Sequence, residues 1–189
     1  MNDIILKTDG KNRQTRILRP HEVRLLINAI PKNEYKDKFE ALFYTGARYT
    51  EMQQLYEHPQ WFMGTSIKMK SSKPKAKHKE RYIRLNSQGQ RVITYFLRAK
   101  KNLPHYVVWG ENLKRWAEEA GLDSTGISIK STRKTWESWL VSTYPKQLEY
   151  IFLSQGHTMM TALQYYLMIP FTKEDVEEMK FYTEGWIMV

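Results

Sequence analysis

Two short runs with strand character, Trp61 to Met69 and Arg81 to Leu85, flank the basic stretch KSSKPKAKHKE, Lys70 to Glu80. Both mix branched and aromatic residues with partial alternation, which puts successive side chains on opposite faces. Such runs are most simply satisfied by pairing with each other, so an antiparallel hairpin with a long charged tip is expected. Elsewhere apolar residues recur at three- and four-residue spacing, the period of a helix. One hairpin in an otherwise helical chain defines the expected class: mainly α with a small antiparallel β-sheet (α+β).

The helices can be read from their punctuation. Pro20 suits a first helical position, Val23, Leu25, Leu26, Ala29 and Ile30 form an apolar stripe, and Pro31 stops it. A second helix is expected from about Tyr35 to Tyr44 with Phe39, Leu42 and Phe43 inward; Thr45-Gly46 breaks it, and a third starts near Arg48. After the hairpin, helices are expected over Gln90–Lys100, Glu111–Ala120 (capped by Gly121), Ser131–Leu140, Gln147–Leu153 and Thr158–Leu167. Pro170 ends that run, and Thr172 caps a last helix with Glu174 and Asp175 in its first turn.

Residues 1–17 are polar, with a turn signal at Asp9-Gly10, and read as a tail or linker, leaving 18–189 as one domain. With 189 residues, 41% of them hydrophobic, the chain can bury a substantial core. The formal charge of +10 points to a polyanionic partner, nucleic acid first among them. The absence of cysteine excludes disulfides, thiolate metal sites and cysteine nucleophiles. No run of about 18 apolar residues and no secretory leader is present, so a cytoplasmic location without membrane contact is expected.

Three stretches carry chemistry. TGARYTEMQQL, Thr45 to Leu55, puts Arg48 at a helix start, where backbone N–H groups also face an anion. ISIKSTRKTWESWL, Ile127 to Leu140, spaces Lys130 and Arg133 by one helical turn, so both can face one pocket. LSQGHTMMTALQYYL, Leu153 to Leu167, places His157 after Gly156 and a tyrosine nine residues later. Breaking a phosphodiester needs a nucleophile, charge neutralisation on the non-bridging oxygens and a proton for the leaving oxygen. Arginines grip phosphate oxygens bidentately without losing their proton, and a lysine proton is transferable. A phenol becomes nucleophilic where neighbouring cations favour the phenolate.

In this order the three stretches resemble the active-site boxes of the tyrosine recombinases, or phage integrases, from about Leu18 to the C-terminus. The second and third look closest to archaeal fusellovirus-type integrases, where Lys-x-x-Arg replaces His-x-x-Arg and Gln-Gly-(Arg/His) precedes the nucleophile helix. The resemblance implies Arg48, Arg133, Lys130 and His157 around the phosphate, Glu51 as the buttressing acid, and Tyr166 as nucleophile with Tyr165 packed inward. It places a general-acid lysine in the hairpin tip, where Lys70, Lys73, Lys75, Lys77 and Lys79 are available and distance from Arg48 favours Lys73. It further implies double-stranded attachment-site DNA as partner, assembly into a tetramer, and no cofactor, metal or small-molecule substrate. Relatives usually carry an N-terminal DNA-clamping domain, so the chain reads as a catalytic domain alone. Val176, Met179, Tyr182 and Trp186 could dock the last helix on its own domain or on a neighbouring protomer. Two alternatives remain: a type IB topoisomerase, and a basic nucleic-acid-binding module without catalysis.

Overall fold

A computed structural model describes residues 4–8, 11–70, 80–156 and 169–187. Helices α1 (Pro20–Ala29), α2 (Asn33–Thr45), α3 (Tyr49–Glu57), α4 (Ser87–Arg98), α5 (Tyr106–Glu119), α6 (Ser131–Thr143), α7 (Leu148–Gln155) and α8 (Lys173–Thr183) dominate. Strands β1 (Ile5–Thr8) and β2 (Gln14–Ile17) form one antiparallel pair, and β3 (Ser66–Lys70) and β4 (Glu80–Arg84) another. The mainly α fold with small antiparallel sheets is the expected class.

Packing centres on α2, which lies against α4 and α6, while α6 also meets β2, α7 and α8. Phe43 of α2 is the aromatic hub: its ring meets Trp139 edge-on at 5.1 Å and Trp136 at 5.4 Å, and Tyr182 of α8 at 6.2 Å. Such edge-to-face pairs add directional preference to the area they bury. Trp139 also donates its indole N–H to the Leu18 carbonyl at 2.9 Å. In this chain α8 seats Met179 in the core, and Asp175 pairs with the buried Arg19 just ahead of α1. A reciprocal cap starts α8: Thr172 Oγ1 accepts from the Asp175 N–H at 3.1 Å, and Asp175 accepts from the Thr172 N–H at 3.0 Å.

Several boundaries differ from expectation. The segment 1–17, expected to be a tail or linker, carries the β1–β2 hairpin, with Ile5 opposite Ile17. Arg16 fixes it, donating its backbone N–H to the Gly126 carbonyl at 2.8 Å and its guanidinium to Glu22 and to the Asp123 carbonyl. The first strand of the other hairpin starts at Ser66, because Pro59–Trp61 closes into a 3₁₀ turn. Helix α5 starts at Tyr106, five residues earlier than expected, so that Trp109 joins the core. Leu25 is exposed despite its place in the α1 stripe. The helix expected over Thr158–Leu167 lies outside the described residues.

Candidate active site

Helix α2 ends where Thr45 turns its hydroxyl back to the Ala41 carbonyl at 2.6 Å, as a residue near a helix terminus can. Gly46 then adopts φ +57°, and a Cβ there would stand 2.5 Å from Gln155 Oε1 and 2.9 Å from Trp136 Cδ1. A glycine is therefore needed twice over, for its left-handed backbone and for the close approach of α7. Two residues on, Arg48 is the N-cap of α3 with extended φ and ψ of −70° and 151°. Glu51, at the third helical position, accepts the Arg48 backbone N–H at 2.7 Å and its guanidinium at 2.6 Å. The Glu51 side chain is 3% exposed, whereas that of Arg48 is 39% exposed. The carboxylate thus sits beneath and the guanidinium faces out.

Arg133, on α6, is buried and donates to the Gly46 carbonyl at 2.5 Å and to the Gln155 carbonyl. Gln155 completes the junction by donating from Nε2 to the Thr45 carbonyl at 3.2 Å. The turn before Arg48, the first turn of α6 and the end of α7 therefore converge on one guanidinium. Lys130 is the N-cap of α6 and is exposed, one turn before the buried Arg133.

Sequence reasoning missed Arg81. It lies on β4 opposite Met69, with an 11% exposed side chain. Its guanidinium donates to Glu51 Oε2 at 2.6 Å and to the Ser154 carbonyl. Its stem packs so closely on the turn at Gly156 (φ +67°) that a Cβ there would stand 2.7 Å from Arg81 Cδ. In the sequence Arg81 was only the first residue of the expected strand Arg81 to Leu85, with no functional role assigned. The usable signal was its place on an alternating strand, two residues before the core residue Ile83 and so on the same face.

The electrostatics follow from this packing. Burial drives the Glu51 carboxyl upward, but Arg81 first, then Arg48, its backbone N–H and Arg133, together hold it below the ordinary carboxylate value. Burial pushes the Arg81 guanidinium down to about 10; Glu51 opposes the shift, and Arg133 and Arg48 add to it. Two guanidinium groups thus bind the Glu51 carboxylate directly and a third, Arg133, acts on it through space, while the Arg48 guanidinium keeps an exposed edge that favours an anion.

Lys73, His157 and Tyr166, with Tyr165, Lys75, Lys77 and Lys79, lie outside the described residues. Lys70 closes β3 opposite Glu80, its ammonium 5.8 Å from the centre of the Trp61 ring. Among the described residues no group of three or more His, Asp or Glu side chains is placed to hold a metal ion. Among them, too, no helix is long and apolar enough to cross a membrane.

The architecture is that of the tyrosine recombinase catalytic domain. In particular, the chain superposes on the XerA recombinase with a TM-score of 0.64 and 16% identity, covering 89% of this chain and 65% of that one. It also superposes on the Tn1549 transposon integrase (residues 82–397, in complex with circular intermediate DNA) with a TM-score of 0.60 and 18% identity, covering 85% and 63%. The chain therefore spans a little under two thirds of each. No protein-family profile and no curated protein sequence matches it.

Proposed function

We propose that this chain is the strand-cleaving domain of a site-specific DNA recombinase of the integrase type, acting on cytoplasmic DNA of a virus or plasmid. The reading rests chiefly on one observation: the two distant arginine-bearing boxes meet, Arg133 binding the carbonyl of Gly46, 87 residues away in sequence and two residues ahead of Arg48. Both recombinase neighbours share the fold, and the net charge of +10 suits a duplex DNA partner.

In this reading Arg48, Arg133, Lys130 and His157 bind the scissile phosphate and the charge that grows on its oxygens. Tyr166 Oη attacks phosphorus as its proton passes to solvent. The P–O5′ bond breaks, a hairpin lysine (Lys73 the first choice) protonates the departing 5′ oxygen, and a 3′-phosphotyrosyl linkage remains. A partner strand's 5′-hydroxyl then reverses the step, the ester having conserved the bond. Four protomers on two attachment sites would complete the exchange. The Lys-x-x-Arg and Gln-Gly-His patterns favour the archaeal fusellovirus type.

One observation favours a second reading, a DNA-binding module without catalysis: Arg133 is buried and directs donors at two main-chain carbonyls. A covalent trap separates the two. A site selected by binding from a random duplex pool is nicked to make a suicide substrate, and adduct is followed on a denaturing gel with chelator present. Adduct with wild type and with Tyr165→Phe, but none with Tyr166→Phe despite retained DNA binding, is the expected outcome. Loss with Tyr165→Phe alone moves the nucleophile by one residue. Retained binding with no wild-type adduct establishes the module instead.

A further inference from the structure

Arg81 stands where three segments meet. Its strand emerges from the basic hairpin tip, Glu51 belongs to the helix that Arg48 opens, and Ser154 and Gly156 form the end of α7 that leads into His157. We infer that Arg81 is a positioning residue that ties the turn at Gly156 to Glu51 and so fixes the Arg48 guanidinium for its phosphate. The inference rests on the recombinase reading above.

Geometry carries the argument. Glu51 Oε1 holds the Arg48 guanidinium at 2.6 Å, while Oε2 takes the Arg48 backbone N–H at 2.7 Å and Arg81 at 2.6 Å. With both oxygens engaged, the carboxylate cannot rotate without breaking a charge-assisted bond, so Arg48 inherits its direction. The other arm of Arg81 grips the Ser154 carbonyl, and Ser154 Oγ in turn accepts the Arg84 backbone N–H at 3.2 Å. The end of α7 is thus pinned to β4 at two points. A lysine would keep a positive charge beside Glu51, but as a point charge on a flexible stem it lacks the planar fork that fixes both acceptors at once.

Arg81 faces no phosphate in this account, so its effect on Arg48 passes through Glu51. Among the described residues, the charged groups around that carboxylate are Arg81 from β4, Arg48 on its own helix and Arg133 from α6. Removing Arg81 takes away the foremost cation, so Glu51 protonates at a higher pH and releases Arg48 there. A group that merely filled space would lower activity equally at every pH.

The test is a double-mutant cycle on adduct formation by the whole chain, using the nicked duplex above. Arg81→Gln is expected to slow adduct formation about 100-fold, the scale of a misplacement near 1 Å, and to move the acid limb of the pH profile upward. Arg81→Lys is expected to lose less and to leave the limb in place. In a Glu51→Gln background, Arg81→Gln should cost far less than it does alone. Effects that multiply, or a uniform loss with an unmoved limb, would assign Arg81 to packing and overturn the inference. Should circular dichroism show Arg81→Gln unfolded, the same cycle is run with Arg81→Lys, and additivity there overturns it equally. Wild type that binds without forming adduct removes the recombinase reading and this inference together; wild-type adduct with an unchanged Arg81→Gln rate removes this inference alone.

Discussion

Replacing Gly46 by alanine should be among the most damaging single-methyl changes available to this chain. At φ +57° an alanine costs about 1 kcal/mol relative to glycine, from the contact of its Cβ with the following carbonyl. The new methyl would also lie 2.5 Å from Gln155 Oε1 and 2.9 Å from Cδ1 of Trp136, which is fully buried and has nowhere to go. Overpacking of this kind costs about 1–3 kcal/mol. Gln155 can yield only by giving up its 3.2 Å bond to the Thr45 carbonyl, about 1 kcal/mol more. The loss comes to about 4 kcal/mol, or roughly 10 °C in Tm for a chain of this size. Gly121→Ala is the control, since it has φ +73° with nothing within 4 Å of its Cβ and should show the backbone cost alone. Urea midpoints followed by circular dichroism measure both at a common slope. If Gly46→Ala is no worse than Gly121→Ala, the junction of the α2 turn with α7 is not packed as argued, and the convergence on Arg133 loses its basis.

Two further outcomes follow from buried charge. Glu51→Gln should cost about 3 kcal/mol at neutral pH, towards the low end for breaking a buried pair because Arg48 stays partly solvated. Glu51 has a depressed folded-state value, so its contribution is complete above the ordinary 4.5 and is lost as pH falls through the lower value. Wild-type and variant urea midpoints should therefore converge only below about pH 4.5, and convergence at neutral pH would contradict the pairing. Asp175→Asn leaves buried Arg19 with the Pro170 carbonyl at 3.1 Å but no carboxylate, and should cost about 3 kcal/mol by thermal unfolding. A change below about 0.5 kcal/mol, the range of ordinary surface substitutions, would mean that α8 is not anchored at that point.

The parts of the fold legible in sequence were those with a strong period or a sharp stop. Phe39, Leu42 and Phe43 lie on one face of α2 because helical spacing alone puts them there, and all three are buried. Pro31 and Gly46 mark ends that depend only on backbone chemistry. The β1–β2 hairpin was illegible for the converse reason: its strands are four residues each, and the buried side chains of β2 include Thr15 and Arg16. The burial of Arg16 is offset by Glu22, Asp123 and Gly126, none of which lies within the hairpin. A pattern of polar residues cannot announce partners that only tertiary packing supplies.

The candidate site divides along the same line. Arg48 and Glu51 are three residues apart, so their pairing is helical geometry and could be read from the chain. Lys130 and Arg133 share that spacing, but nothing local says that Arg133 is buried against Gly46 and Gln155 while Lys130 stays exposed. The link from Glu51 to Arg81 spans 30 residues and crosses from helix to strand. It exists because Met69 and Ile83 hold the hairpin on the core in a register that turns Arg81 towards α3 and α7. A slip of one residue would aim Arg81 at the opposite face and leave Glu51 with one fewer cation. The hydrophobic register of a two-stranded sheet thereby controls the charge of the cluster beside it. For this reason Ile83→Asp, which disrupts only packing in the sequence view, should also abolish the Arg81–Glu51 coupling measured in the double-mutant cycle.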